Sequence, residues 1–318
     1  MTPTPVPNSG GSVENTPVPI EVGPRDGLQN EAAQISTADK IAFIDRLSAA
    51  RLPVIEVTAF VSPKWIPQMA DAAEVLAGIA RRPGTRYMAL VPNPKGLERA
   101  LAARIDIAAI FAATSETFSQ RNINQSIDAS FETYAGVARD ALAAGLPVRG
   151  YLSTAFGCPF EGDVPVDRVV ALSKRLLDLG CYEVAVSDTI GIAHPGQVRA
   201  VVGALIKVIP RDRIALHFHD TRGTALANVL AALELGIRTF DASAGGLGGC
   251  PYAPGASGNL ATEDLLYMLQ GLGAARDIDL DAIYAASTAL EPRLGHPLPS
   301  RYVQARRATA TRQSAARP

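Results

Sequence analysis

Short apolar runs recur along the chain, each parted from the next by a longer stretch in which apolar residues return at helical spacing. The first two runs are Val18-Pro-Ile-Glu-Val22 and Val54-Ile-Glu-Val-Thr58; others fall at about 86–91, 106–112, 147–155, 182–187, 213–219 and 238–243. Between the first two, Ser36-Thr-Ala-Asp39 reads as a helix start of the capping-box kind, Ile41, Ile44 and Leu47 follow at helical spacing, and Pro53 stops the helix. Gly145, Gly180 and Gly236 each stand just before a strand, where a helix end favours a left-handed residue. Strands that alternate with helices pair in parallel through crossover helices, and eight such units predict a closed (β/α)8 TIM barrel in a single domain. A doubly wound open sheet is the alternative. It fits less well because the glycine-rich segment near residue 245 follows the last strand, whereas a dinucleotide-binding fingerprint follows the first.

Composition narrows the function. The chain has 318 residues, is 47% apolar and carries a net charge of −1, so nothing draws it to nucleic acid or an anionic membrane, and any anionic partner is held by a local site. No apolar run approaches the roughly 18 residues of a membrane span. The first 17 residues contain neither Arg nor Lys, so no secretory signal or transit peptide is predicted and a cytoplasmic location is expected. Cys158, Cys181 and Cys250 are odd in number and unpatterned, as in a reducing compartment. Residues 1–17, rich in Pro, Gly, Ser and Thr, read as a flexible leader, residues 18–298 as the barrel, and residues 299–318 as a basic, disordered tail.

The active site of such a barrel lies at the C-terminal ends of its strands. Reactive residue types collect there: Arg25 and Asp26 after the first strand, Glu56 in the second, Ser187-Asp188-Thr189 at the end of the sixth, and His217-Phe-His219 at the end of the seventh. A strand alternates its faces, so His217 and His219 point the same way, as a metal-ligand pair does. Polar residues at a strand end satisfied by backbone are the plainer reading of that pair alone. Asp26, the two imidazoles and the amide oxygen of Asn259 form an oxygen and nitrogen set without thiolate, which suits Mg²⁺ or Mn²⁺ better than Zn²⁺. Cys250 sits in the segment Gly245-Gly-Leu-Gly-Gly-Cys-Pro, where a thiol could act as acid or base, or be a small filler. That segment puts Pro251 where the third glycine of G-x-G-x-x-G would stand, which excludes nucleotide cradling by that motif.

Arg25-Asp-Gly-Leu-Gln-Asn-Glu31, Phe60-Val-Ser-Pro-Lys-Trp-Ile-Pro-Gln-Met69, Arg149-Gly-Tyr151, Gly157-Cys-Pro-Phe-Glu-Gly162, Ser187-Asp-Thr-Ile-Gly191, His217-Phe-His-Asp-Thr221 and Gly246 to Asp264 together resemble the 3-hydroxy-3-methylglutaryl-CoA lyases, metal-dependent TIM-barrel enzymes. The resemblance spans about residues 18–275. It implies cleavage of an acyl-CoA substrate to acetoacetate and acetyl-CoA. It also implies that Asp26, His217, His219 and Asn259 bind the divalent cation, that Arg25 neutralises charge on the thioester oxygen, that Glu56 and Cys250 are required for catalysis, and that His217 joins in proton transfer. A homodimer is implied as well.

Two departures stand out. Ala32 replaces the Lys common after Gln-Asn-Glu, and Arg222-Gly-Thr224 replaces the usual Tyr-Gly-Gln. Both leave the metal set untouched and suggest a larger 3-hydroxy-3-alkylglutaryl-CoA as an alternative substrate. Rival readings are a related condensing synthase, a 4-hydroxy-2-oxoacid aldolase, or a silent barrel used for binding. The presence of Arg25, Asp26, Glu56, both histidines, Cys250 and Asn259 at once argues against the last. Service in leucine breakdown, ketone-body formation or isoprenoid breakdown stays open.

Overall fold

The computed structural model describes residues 16–249 and 258–315. Cys250 and most of the expected leader lie outside the described residues. The strands are β1 (Val18–Glu21), β2 (Val54–Ala59), β3 (Arg86–Leu90), β4 (Ile107–Ala113), β5 (Val148–Ser153), β6 (Glu183–Asp188), β7 (Ile214–Phe218) and β8 (Thr239–Ala242). They pair in parallel in sequence order, and β8 closes on β1. The (β/α)8 barrel expected from the hydrophobic pattern is therefore the fold. Every residue of β2, β6 and β7 is buried, because helices cover the outer face of a barrel whose inner face is itself filled.

The punctuation works as the local chemistry demands. Ser36 caps the helix Thr37–Ala49, its side chain accepting from Asp39 N at 3.1 Å. Gly145, Gly180 and Gly236 adopt φ of 76°, 95° and 89°, each reversing the chain from a helix into β5, β6 or β8 without a Cβ penalty.

Register decides what the barrel's interior holds. Arg149 lies opposite Glu183, Ser187 opposite His217, and His217 opposite Asp241. Lateral partners share a face and the side-chain period is two, so Arg149, Tyr151, Glu183, Ser187, His217 and Asp241 all belong to the inner surface. Beyond β7 the chain returns as Gly258–Thr262 between the ends of β7 and β8: His219 bridges Asn259, and Ser243 bridges Ala261.

The C-terminal tail departs from expectation. Residues Arg301–Ala315 form a helix. Composition registers only its positive charge, while its order comes from remote partners. Asp264 accepts from Arg301 N at 3.0 Å and Tyr302 N at 2.8 Å, capping the first turn. Val303 is fully buried, Arg306 packs 4.3 Å from the Tyr284 ring centroid, and Arg307 pairs with Glu291. Among the described residues, no helix is long and apolar enough to cross a membrane.

Candidate active site

A cavity of about 590 Å³ opens at the C-terminal mouth of the barrel. Arg25, Asp26, His217, His219, Ser187 and Thr189 line it, and Gly249, at the edge of the described loop, reaches it as well. Arg25 and Asp26 are carried there by a tight turn, Gly23–Gly27, in which the N–H groups of Arg25, Asp26 and Gly27 all donate to Val22 O.

Asp26 is the meeting point of the charges. Arg25 Nη1 lies 2.6 Å from its Oδ1, His217 Nε2 3.8 Å from its Oδ2, and Asn259 Nδ2 donates to Oδ2 at 3.0 Å. Burial by itself would raise the Asp26 carboxyl, but Arg25, the two histidines and Asn259 outweigh it and hold the group at about 2. One layer deeper, fully buried Glu56 accepts from Arg25 Nη2 at 2.8 Å and from Tyr151 Oη at 3.1 Å. Burial outweighs Arg25 there and raises the carboxyl. Two guanidiniums lie over the Tyr151 ring, Arg25 at 5.5 Å and Arg149 at 4.9 Å from its centroid.

The two histidines differ in their surroundings. His217 Nδ1 faces Asp241 Oδ2 at 3.2 Å, and although burial would lower its pKa, Asp241 and Asp26 together raise it. His219 has no such partner. Burial, then the neighbouring His217, push it down to about 4, so its ring is neutral and able to ligate at neutral pH.

These residues fit a divalent cation. Asp26, His217 and His219 offer ligand atoms that all lie within 4.8 Å of one another. His219 Nδ1 and Asn259 Oδ1 are buried without a hydrogen-bond partner, a state that costs free energy unless something else satisfies it. Asn259 directs its amide nitrogen to Asp26 and to Leu247 O, both at 3.0 Å, which leaves its oxygen as the free acceptor. Oxygen and nitrogen donors without thiolate suit Mg²⁺ or Mn²⁺.

The structure thus gathers Arg25, Asp26, His217, His219 and Asn259 at one mouth, with Glu56 beneath them, while Cys250 lies outside the described residues. Asp188 does not line the cavity: it accepts from Ile192 N and Ala193 N at 3.0 Å each and shapes the loop after β6, and burial raises it to about 6. Neither Ala32, Arg222 nor Thr224 lines the cavity. Arg222 donates to the carbonyls of Ile190 and Gly191, and Thr224 to that of Ala193, so these departures brace the same loop from outside. Sequence alone assigns no role to the inner charged layer of Arg149, Glu183 and Asp241. Its signal is a charged residue at an inward position of an otherwise apolar strand, visible once the register is known.

The chain is similar to known proteins in sequence and in fold. Over 284 residues the chain is 52% identical to hydroxymethylglutaryl-CoA lyase YngG of Bacillus subtilis, covering 89% of this chain and 95% of that one. It is 51% identical over 286 residues to the 3-hydroxy-3-isohexenylglutaryl-CoA/hydroxy-methylglutaryl-CoA lyase of Pseudomonas aeruginosa, covering 90% and 95%. A crystal structure of an HMG-CoA lyase from Acinetobacter baumannii, in complex with coenzyme A and 3-methylmalate, superposes with a TM-score of 0.88 at 40% identity, covering 93% of this chain and 97% of that one. With its barrel, its mouth-side cluster and a match of the HMGL-like family over residues 18–290, the chain belongs to the HMGL-like family.

Proposed function

We propose that this protein cleaves 3-hydroxy-3-methylglutaryl-CoA to acetoacetate and acetyl-CoA with the help of Mg²⁺ or Mn²⁺. The observation that carries the reading is the convergence of Arg25, Asp26, His217 and His219 on one cavity at the barrel's C-terminal mouth. The cleavage removes a proton from a tertiary hydroxyl and leaves an enolate on the acetyl-CoA half, so it needs an acidified hydroxyl, a cation at the thioester oxygen and a proton for the new methyl group. When bound by Asp26, His217, His219 and Asn259, the divalent ion supplies Lewis acidity at the substrate's oxygens.

The chain's own residues divide the remaining work. Arg25 is the cation for the thioester oxygen, a charge that develops only as the bond breaks. Glu56, buried beneath it, serves catalysis by holding the guanidinium in place through the 2.8 Å pair, braced by Tyr151. Asp26, kept ionised by its neighbours, orients Arg25 and Asn259. Cys250 is the candidate for one proton transfer. His217, carried over from the resemblance as a second participant, has its Nδ1 engaged by Asp241, which favours its role as ligand.

Val61, Ile66, Leu90, Phe111, Phe118 and Tyr134 are among the residues lining the cavity, and this apolar part of the lining favours a second reading, a substrate with a larger 3-alkyl group. The Pseudomonas relative at 51% identity carries such a substrate in its name. Catalytic efficiency on the methyl compound against a branched homologue separates the two readings. The homodimer and the cytoplasmic location belong to the same proposal, and sedimentation equilibrium tests the former. For the reaction itself, the test is release of acetoacetate and acetyl-CoA from 3-hydroxy-3-methylglutaryl-CoA, with Cys250→Ala as control; turnover that survives the control unchanged removes Cys250 from the mechanism.

A further inference from the structure

Behind the mouth, four buried side chains form a chain of contacts that ends on His217. Asp241 Oδ2 lies 3.2 Å from His217 Nδ1. Both oxygens of Asp241 also accept from Arg149, Oδ1 from Nη2 at 2.8 Å and Oδ2 from Nη1 at 3.2 Å. Arg149 is fully buried, and its Nε donates to Glu183 Oε1 at 2.8 Å. A forked guanidinium on a carboxylate fixes the plane of that carboxylate. The Tyr151 ring meets His217 edge-on, at 89° and 6.4 Å between centroids.

We propose that Asp241 is a positioning residue that holds His217 in a single tautomer, with the proton on Nδ1 and the Nε2 lone pair turned to Asp26 and the cavity. Clamped by Arg149, the Asp241 carboxylate has no hydrogen to give, so the imidazole nitrogen facing it is the one that carries the proton. The other nitrogen, 3.8 Å from Asp26 Oδ2, is left free to bind a cation. His219 lacks an acceptor at Nδ1, so the arrangement singles out one of the two histidines. Tautomer control through an outer carboxylate is a general device of metal and nucleophile sites. Its relevance to lyase turnover rests on the proposed function, but the tautomer does not.

Asp241→Asn tests the inference. An Asn offers one acceptor oxygen, which the two Arg149 donors draw, and its amide nitrogen then donates to His217 Nδ1 and moves the ring proton to Nε2. Two-bond ¹H–¹⁵N correlations of the metal-free, ¹⁵N-histidine-labelled full chain, recorded with the ring neutral and assigned with a His217→Gln variant, read the tautomer directly. Wild-type His217 is expected in the Nδ1–H form and the variant in the Nε2–H form, with Mn²⁺ affinity of the variant weaker by about 10- to 100-fold. An Nε2–H ring in the wild type overturns the proposal whether or not the variant folds. So does a folded variant with unchanged tautomer and Mn²⁺ affinity within about twofold of wild type. Absent cleavage by a wild-type chain with an Nδ1–H ring would contradict the lyase reading and leave the positioning role standing.

Discussion

Arg25 and Glu56 form a buried ion pair, Nη2 to Oε2 at 2.8 Å, with the guanidinium at the cavity and the carboxylate a layer below. The pair joins the turn after β1 to β2. In the proposed reaction it fixes a cation where charge develops, so removal of one partner is expected to differ in effect from removal of the other. Arg25→Gln is expected to lower kcat by about 10²- to 10³-fold, the usual loss of one electrostatic stabiliser. Glu56→Ala leaves Arg25 buried without its deeper partner and lowers both kcat and thermal stability. Steady-state kinetics and melting curves on the two variants separate the roles. Equal loss of stability in both, with little change in kcat for Arg25→Gln, contradicts the assignment.

Gly258 is expected to be irreplaceable for the site. It has φ of +97°, and a Cβ there would sit 2.0 Å from Gly248 O, a contact that backbone atoms cannot yield. Gly258 O accepts from Asp220 N at 3.0 Å, which pins the start of the returning segment just before Asn259. Gly258→Ala is therefore expected to displace Asn259 from Asp26 and to weaken Mn²⁺ binding at least tenfold. Titration with Mn²⁺ checks this, and wild-type affinity in the variant refutes it.

Two buried carboxyls tie stability to pH. Glu21 accepts from Gly23 N at 2.7 Å and Ala244 N at 2.9 Å, and Glu263 accepts from Gly245 N at 2.8 Å, so the pair anchors the start of the glycine-rich segment after β8. Burial outweighs these donors and raises Glu21 to about 7 and Glu263 to about 8. Both folded values exceed the ordinary 4.5 of the unfolded chain. The folded state then binds more protons between those limits, so the stabilisation is complete below about pH 4.5 and is lost as pH rises through about 7 to 8. Each unit of difference is worth about 1.4 kcal/mol. Glu263→Gln, which keeps an acceptor for Gly245 N, is expected to flatten the fall in melting temperature between about pH 5.5 and 8.5. An unchanged slope rules out Glu263 as a source of it.

Much of this architecture was legible in the sequence, and the reasons are local. Eight apolar runs, a capping box at Ser36 and glycines at helix ends depend on near neighbours, so pattern alone locates them. Arg25, Asp26, Glu56, His217, His219 and Asn259 were legible because a barrel sends every strand end to one mouth. What escaped depends on contacts distant in sequence. Asp241 and Arg149 are 92 positions apart, and only the register of β5 to β8 puts them on one inner face. Arg222 stood beside the His-x-His motif and invited a role in substrate fit, yet its guanidinium turns to the Ile190 and Gly191 carbonyls. The C-terminal helix escaped for the same reason, since its cap is Asp264, 37 positions before Arg301 N.

That cap carries its own prediction. Asp264→Ala leaves the first N–H groups of the helix Arg301–Ala315 without their acceptor and is expected to cost about 1 kcal/mol, within the usual range for a lost N-cap. Limited proteolysis is expected to cut the variant first in this helix. Cleavage of the two proteins at the same sites and rates contradicts the capping role.

The central claim is that residues gathered at the barrel mouth hold a divalent ion and split a 3-hydroxyacyl thioester. The most direct measurement is formation of acetoacetate and acetyl-CoA from 3-hydroxy-3-methylglutaryl-CoA, with and without Mn²⁺, by the wild-type chain and by His219→Ala. The account predicts rapid turnover that depends on the metal in the wild type and falls by about 10²-fold or more in the variant, together with weakened Mn²⁺ binding. Turnover that is indifferent to Mn²⁺, or equal in the two proteins, contradicts it.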